Sequence, residues 1–230
     1  MLKFIKKLIR GIVVAFLAST ILSVVALRFI PVWFTPLMFI RCFEQMKDGR
    51  ELRMTHHWIS LSEMPESMPV AVIASEDANF YSHHGFDFKA IESAAKRNRE
   101  HPEKHTLGAS TITQQTAKNV FLWPDRSWVR KGFEAYFTAL IELAWPKERI
   151  MEVYLNSIET GDGIYGVEAI SRENWGLRAS QITKEQCALI AATLPNPRKF
   201  SSKNPSRYMK KRQKRILHEM KFVKASKQAP

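Results

Sequence analysis

Residues Ser75 to Gly85 read SEDANFYSHHG, with paired carboxylates, paired imidazoles and two aromatics ahead of a glycine. Such residues suit a metal site, a general acid or base, or a polar helix end. Neighbours on a helix point about 100° apart, so Glu76 and Asp77 cannot both face one ligand. His83 and His84 are also adjacent, whereas two imidazoles on one metal favour i, i+4 spacing. Taken alone, the stretch supports at most one placed carboxylate.

Two later stretches add chemistry. In GASTITQQTAKN (Gly108 to Asn119), small residues precede a crowd of hydroxyls and amides that includes Ser110, Gln114 and Gln115. Buried polar groups need partners, so a helix of this composition suits the wall of a groove for a hydroxylated ligand better than blind packing. In DRSWVRKGFE, Arg126, Arg130 and Lys131 precede Glu134, and Lys118 lies shortly upstream. Arg130 and Glu134 are at i, i+4 and a surface ion pair would explain them. The cationic cluster at a helix start also suits a diphosphate, because helix dipole and side chains act together.

The elements that must position these residues are helical almost throughout. DFKAIESAAKRN offers Asp87 as an N-cap, and STITQQTAKNVF opens on a capping serine, Ser110. SWVRKGFEAYFTALIELAW repeats apolar residues at helical spacing, GVEAISRENWG stops at Gly176, and Thr183 with Gln186 forms a capping box before CALIAATLP. Alternating strand patterns are scarce, so a single mostly α domain is expected. The chain has 230 residues, 45% of them hydrophobic, which suffices for a packed core.

The formal net charge of +13 predicts attraction to polyanions. The N-terminus narrows the choice. Lys3, Lys6, Lys7 and Arg10 precede an uncharged run from Gly11 to Leu27, followed by FIPVWF. Basic residues, an apolar run of bilayer length and an aromatic rim describe a membrane anchor with a cytoplasmic N-terminus. A cleaved signal peptide is the competing reading; the run is longer than usual for one, and ALR is a poor cleavage site. The expected organisation is a basic tail (1–10), a transmembrane anchor (11–33), a stalk (34–63), a domain (64–205) and a basic C-terminal helix and tail (206–230). That last segment reads either as a solvated helix or as a patch on anionic lipids. An extracytoplasmic body without zinc-finger or RNP-like motifs is not expected to bind nucleic acid. Cys42 and Cys187 are the only cysteines; a disulfide is permitted but not implied, and Cys187 suits a core position.

The order of the motifs is more specific than any of them. EDANFYSHHGFD, GASTITQQTAKN, RKGFE, RIMEVYLN with GDGIYGVEA, and ALIAATLPNP closely resemble, in order and spacing, five motifs of the family 51 glycosyltransferases. These are the peptidoglycan glycosyltransferases, and RSWVRKGFEA and ATLPNP resemble the monofunctional biosynthetic branch. The resemblance spans Met64 to Pro205. The chain ends soon afterwards, so no penicillin-binding transpeptidase domain is expected. Ser93-Ala-Ala-Lys96 matches S-x-x-K without K-T-G or S-D-N partners and reads as chance.

The resemblance implies a lysozyme-like, mostly helical fold in the bacterial inner membrane, with the catalytic domain periplasmic. It also implies polymerisation of lipid II into β-1,4-linked glycan strands, with inversion at MurNAc C1 and release of undecaprenyl diphosphate. Glu76 matches the catalytic base; Lys118 and Arg126 match the phosphate-binding pair, with Arg130 and Lys131 as further candidates. Glu134 matches a second essential glutamate that organises the diphosphate site or holds a divalent cation, Mg²⁺ or Mn²⁺. Ser110, Gln114 and Gln115 would line the sugar cleft. The implied partners are lipid II, the nascent glycan strand, membrane lipids and other wall-synthesis or division proteins. Departures from the pattern are Ala109 in place of a second glycine, Thr160 in place of an aromatic, and Pro146 at a helix start. A lytic transglycosylase using Glu76 as an acid is the alternative enzyme, and a silent scaffold the alternative of another class. The cationic cluster disfavours the first, since cleavage between sugars needs no diphosphate site.

Overall fold

The computed structural model describes residues 1–103, 108–125 and 127–223. In chain order these form α1 (Leu2–Leu27), α2 (Pro36–Lys47), β1 (Thr55–His56), α3 (Ser67–Glu76), α4 (Phe88–Glu100), α5 (Ile112–Phe121), α6 (Trp128–Ala144), α7 (Lys147–Ser157), β2 (Glu159–Gly161), β3 (Ile164–Tyr165), α8 (Val167–Trp175), α9 (Lys184–Thr193) and α10 (Arg207–Glu219). The mostly helical expectation holds. The sheet is small, ordered β1-β3-β2, with Thr55 and His56 parallel to Ile164 and Tyr165, and β2 antiparallel to β3 across a bulge.

Helix α9 is buried from Cys187 to Thr193, and such all-round burial suits its run of alanine, leucine and isoleucine. It packs on α3 and α10, while α5 packs on α6 and α7, with α2 against α5. The caps follow local chemistry. Asp87 accepts from the Ala90 amide at 2.9 Å, and Thr183 and Gln186 form their box. Gly176 ends α8 in the left-handed region at φ 67°. Ser110 was expected to cap α5, but Thr111 does so, because Thr111 and Gln114 exchange side-chain and backbone hydrogen bonds in a capping box. Both cysteines are free; Cys187 is buried against Ser67, and burial pushes its thiol up to about 11.

The N-terminal segments differ from expectation, and the basic C-terminal helix, found where expected, is packed. Helix α1 runs back through the basic residues to Leu2, so residues 1–10 are its first turns, and it ends before Pro31. It is the one helix among the described residues long and apolar enough to cross a membrane. Thr20 Oγ1 and Tyr136 Oη lie 2.7 Å apart, the Trp145 indole N–H donates to the Val24 carbonyl at 2.8 Å, and Arg149 donates to the Leu27 carbonyl. Segment 34–63 is not a stalk. Leu37 and Met38 are buried, β1 enters the sheet, and the Arg53 amide donates to Gln45 Oε1 at 2.9 Å. The basic helix α10 is likewise packed, burying Met209 and Ile216 on α3 and α9. The end of that segment, residues 224–230, lies outside the described residues.

Asp77 fixes the junction between α3 and α5. It is buried, its Oδ2 accepts from the Ile112 amide at 2.9 Å, and both its oxygens meet His83 Nε2 at 2.9 and 3.1 Å. Gly85 closes the loop at φ 85°, where an added Cβ would lie 2.7 Å from Thr138 Cγ2. Its carbonyl accepts from Thr111 Oγ1 at 2.7 Å. Replacing Asp77 by alanine strands a buried amide and a buried imidazole, and we expect about 3 kcal/mol of lost stability. Urea unfolding of the detergent-solubilised protein measures this, and an unchanged midpoint would show that the brace bears no load.

Candidate active site

Glu76 is the last residue of α3, and the Asp77 brace aims it at α5. Its Oε2 accepts from Gln115 Nε2 at 3.2 Å; its Oε1 accepts from Ser75 Oγ at 2.9 Å and meets Arg212 Nη2 at 3.4 Å. Burial raises the carboxyl above the ordinary glutamate range, against the opposing pull of these hydrogen bonds and of the Arg212 and Lys118 charges. Gln115 is oriented in turn by Tyr154, whose hydroxyl donates to Gln115 Oε1 at 3.1 Å. Burial, with the nearby charges of Glu76 and Asp77, holds the Tyr154 phenol well above its ordinary value, so it remains a donor.

Gln115 and Lys118 share one face of α5 at i, i+3. Both line a cleft of about 360 Å³ whose other polar walls include Arg130, Arg41 and Glu159. Burial pushes the Lys118 ammonium down, opposed by Glu134 and reinforced by the cations Arg130, Lys131 and Arg41. Glu134 is 3% exposed; its Oε2 accepts from Arg130 Nη1 at 2.5 Å and its Oε1 from Lys131 Nζ. Arg130 Nε donates to the Asp125 carbonyl, and Ser127 caps α6 by accepting from the Arg130 amide at 3.2 Å. Glu134 therefore aims two cations rather than presenting a free carboxylate.

That arrangement bears on the expected divalent cation. Both Glu134 oxygens are occupied by cationic side chains, and no group of three or more His, Cys, Asp or Glu with metal-binding geometry occurs among the described residues. Glu134 as placed offers no free oxygen to a resident metal.

The structure thus brings together Glu76, Gln115, Lys118, Arg130, Lys131 and Glu134. Gln114 is used differently, buried in the α5 capping box, and Ser110 is exposed ahead of α5, outside the cleft lining. Arg126 lies outside the described residues. His83 serves Asp77 and His84 is exposed, so the imidazole pair forms no ligand set. Ser93 and Lys96 are exposed on α4, consistent with a chance match.

Sequence reasoning missed Arg41, Tyr154, Glu159 and Arg212. Arg212 was hidden in the run KKRQKR, yet Met209, Arg212 and Ile216 follow helical spacing on one stripe. Arg41 was lost in the supposed stalk, where Leu37, Met38, Arg41 and Gln45 repeat in the same way.

Comparison with known proteins identifies the family. Residues 44–221 match the family described as Transglycosylase. A biosynthetic peptidoglycan transglycosylase of Bacteroides thetaiotaomicron is 55% identical over 96% of this chain and 89% of its own length. Proteins of the same description from Bdellovibrio bacteriovorus and Stutzerimonas stutzeri are 51% and 46% identical, over 94% and 91% of this chain and 86% of each relative. The chain belongs to the transglycosylase family, among the enzymes that build peptidoglycan.

Proposed function

We propose that the enzyme polymerises lipid II, taking the disaccharide from one undecaprenyl diphosphate carrier and joining it to the next. The observation that carries this reading is the shared face of α5, where Gln115 touches Glu76 and Lys118 enters the cationic cleft. Base and anion site are thereby one helical turn apart. The 4-OH of the acceptor GlcNAc attacks C1 of the donor MurNAc. Its proton passes to Glu76, the O–C1 bond forms, and the bond from C1 to the diphosphate oxygen breaks with its electron pair. Attack opposite the leaving group inverts α to β. A sugar hydroxyl is a weak nucleophile, and a carboxylate raised by burial is a better base than an ordinary one. Charge developing on the diphosphate is met by Lys118 and by Arg130, the latter held in place by Glu134 and the Asp125 carbonyl. Residue Arg126 is proposed from the resemblance alone.

Helix α1 anchors the protein in the inner membrane in this reading, with Lys3, Lys6, Lys7 and Arg10 on the cytoplasmic side and the cleft on the periplasmic side. Phe16 packs on Phe133 and Tyr136, and Trp128 and Leu143 are exposed on the same helix α6. Apolar residues presented beside an anchor suit a cleft fed by a lipid-linked substrate.

Incubation of the full chain in detergent with labelled lipid II should give lysozyme-sensitive polymer; release of soluble muropeptides from sacculi without polymer would overturn the reading. Glu76→Gln should lower the polymerisation rate by roughly 10²–10⁴-fold, and a rate near wild type would remove the base assignment. For Lys118→Ala we expect a loss of roughly 10²–10³-fold with an unchanged thermal midpoint. Activity should rise with pH as Glu76 loses its proton, at a pKa above the ordinary 4.5, and fall as Lys118 loses its own, below the ordinary 10.5. An acid limb that stays in place in Glu76→Asp and Gln115→Ala variants would assign that ionisation elsewhere.

A further inference from the structure

The cleft has a second polar wall that the reaction above leaves unused. Arg41, from α2, donates through Nε to Glu159 Oε2 at 3.3 Å and through Nη1 to Glu44 Oε2 at 2.7 Å. Both Arg41 and Glu159 line the cleft together with Lys118 and Arg130. Glu159 is 8% exposed, and its second oxygen, Oε1, is buried without a hydrogen-bond partner. A buried carboxylate oxygen without a donor is costly, and a ligand entering the cleft is one way to complete it. A phosphate would be repelled there; the missing partner is a hydrogen-bond donor. Arg41 lies ahead of the region that matches the family, which begins at residue 44.

We propose that the Arg41–Glu159 pair is a sugar-reading element, in which Glu159 Oε1 accepts a hydrogen bond from an O–H or N–H of the sugar next to the diphosphate. Arg41 is the positioning residue: by holding Oε2 it leaves Oε1 as the carboxylate's unpartnered acceptor and favours the ionised form. This pull acts against burial, which raises the Glu159 carboxyl; the Arg41 and Arg198 charges lower it. The division of labour is then spatial. Lys118 and Arg130 hold the anion common to every lipid diphosphate, and Glu159 distinguishes a carrier loaded with sugar from a spent one.

The inference rests on the proposed polymerase reading, and the test separates the two. Steady-state polymerisation of lipid II is measured for the full chain and for Glu159→Ala, Glu159→Gln and Arg41→Lys. Inhibition by farnesyl diphosphate, a diphosphate without sugar, is measured in parallel. Losing a hydrogen bond to a charged acceptor should raise KM for lipid II roughly tenfold, with kcat held within about twofold and farnesyl diphosphate inhibition unchanged. Arg41→Lys keeps the charge without the fork, and it should show a smaller rise. The near-isosteric Glu159→Gln covers the case in which the alanine variant does not fold, and thermal midpoints confirm that both are folded. An unchanged KM, or an equal loss of affinity for farnesyl diphosphate, would overturn the inference. A wild-type chain that makes no polymer would instead sink the functional reading.

Discussion

A buried carboxylate held between two helices underlies the whole site. Asp77 ends α3 by accepting from the first amide of α5 and from His83, so two helices distant in sequence meet at one point. Helix termini leave amides without partners, and a buried one must be satisfied from outside the helix. Here that need is met by the residue after Glu76. Glu76 cannot drift from Gln115 without stranding Ile112, and the rest of the frame (Gly85 against Thr111, Tyr154 against Gln115) repeats the same constraint.

Charge is arranged around this frame with little slack. Lys118, Arg130 and Arg41 line a cleft, with Lys131 close behind; the nearby carboxylates, Glu134 and Glu159, are themselves buried. The two carboxylates fix the directions of the cations while leaving the cleft cationic overall. Burying a charge is tolerable only when it is paired and hydrogen-bonded. The pairing of Glu134 with both Arg130 and Lys131 meets that condition without cancelling the local positive potential.

Much of this was legible in the residues. Periodicity and caps gave the helices, and motif order gave Glu76, Lys118 and Glu134 their neighbourhood. What stayed hidden was hidden for physical reasons. A run such as KKRQKR reads as solvated until the apolar residues beside it set a buried stripe, and only tertiary packing turned Arg212 toward Glu76. Two-residue strands carry too little alternation to be seen, so the segment holding Arg41 and β1 passed for a connector. Gln114 and Gln115 are chemically identical neighbours; the capping box claims the first and the helical rotation delivers the second.

The contact between α1 and the body changes what the N-terminal helix is. A flexible linker of about thirty residues would let a domain wander on the order of 30 Å. Instead Trp145, Tyr136 and Arg149 grip the helix at Val24, Thr20 and Leu27. The helix is a mast bolted to the hull rather than a mooring line. The altitude and heading of the cleft follow directly from how that mast stands, so tilting it would tip the cleft's mouth with it.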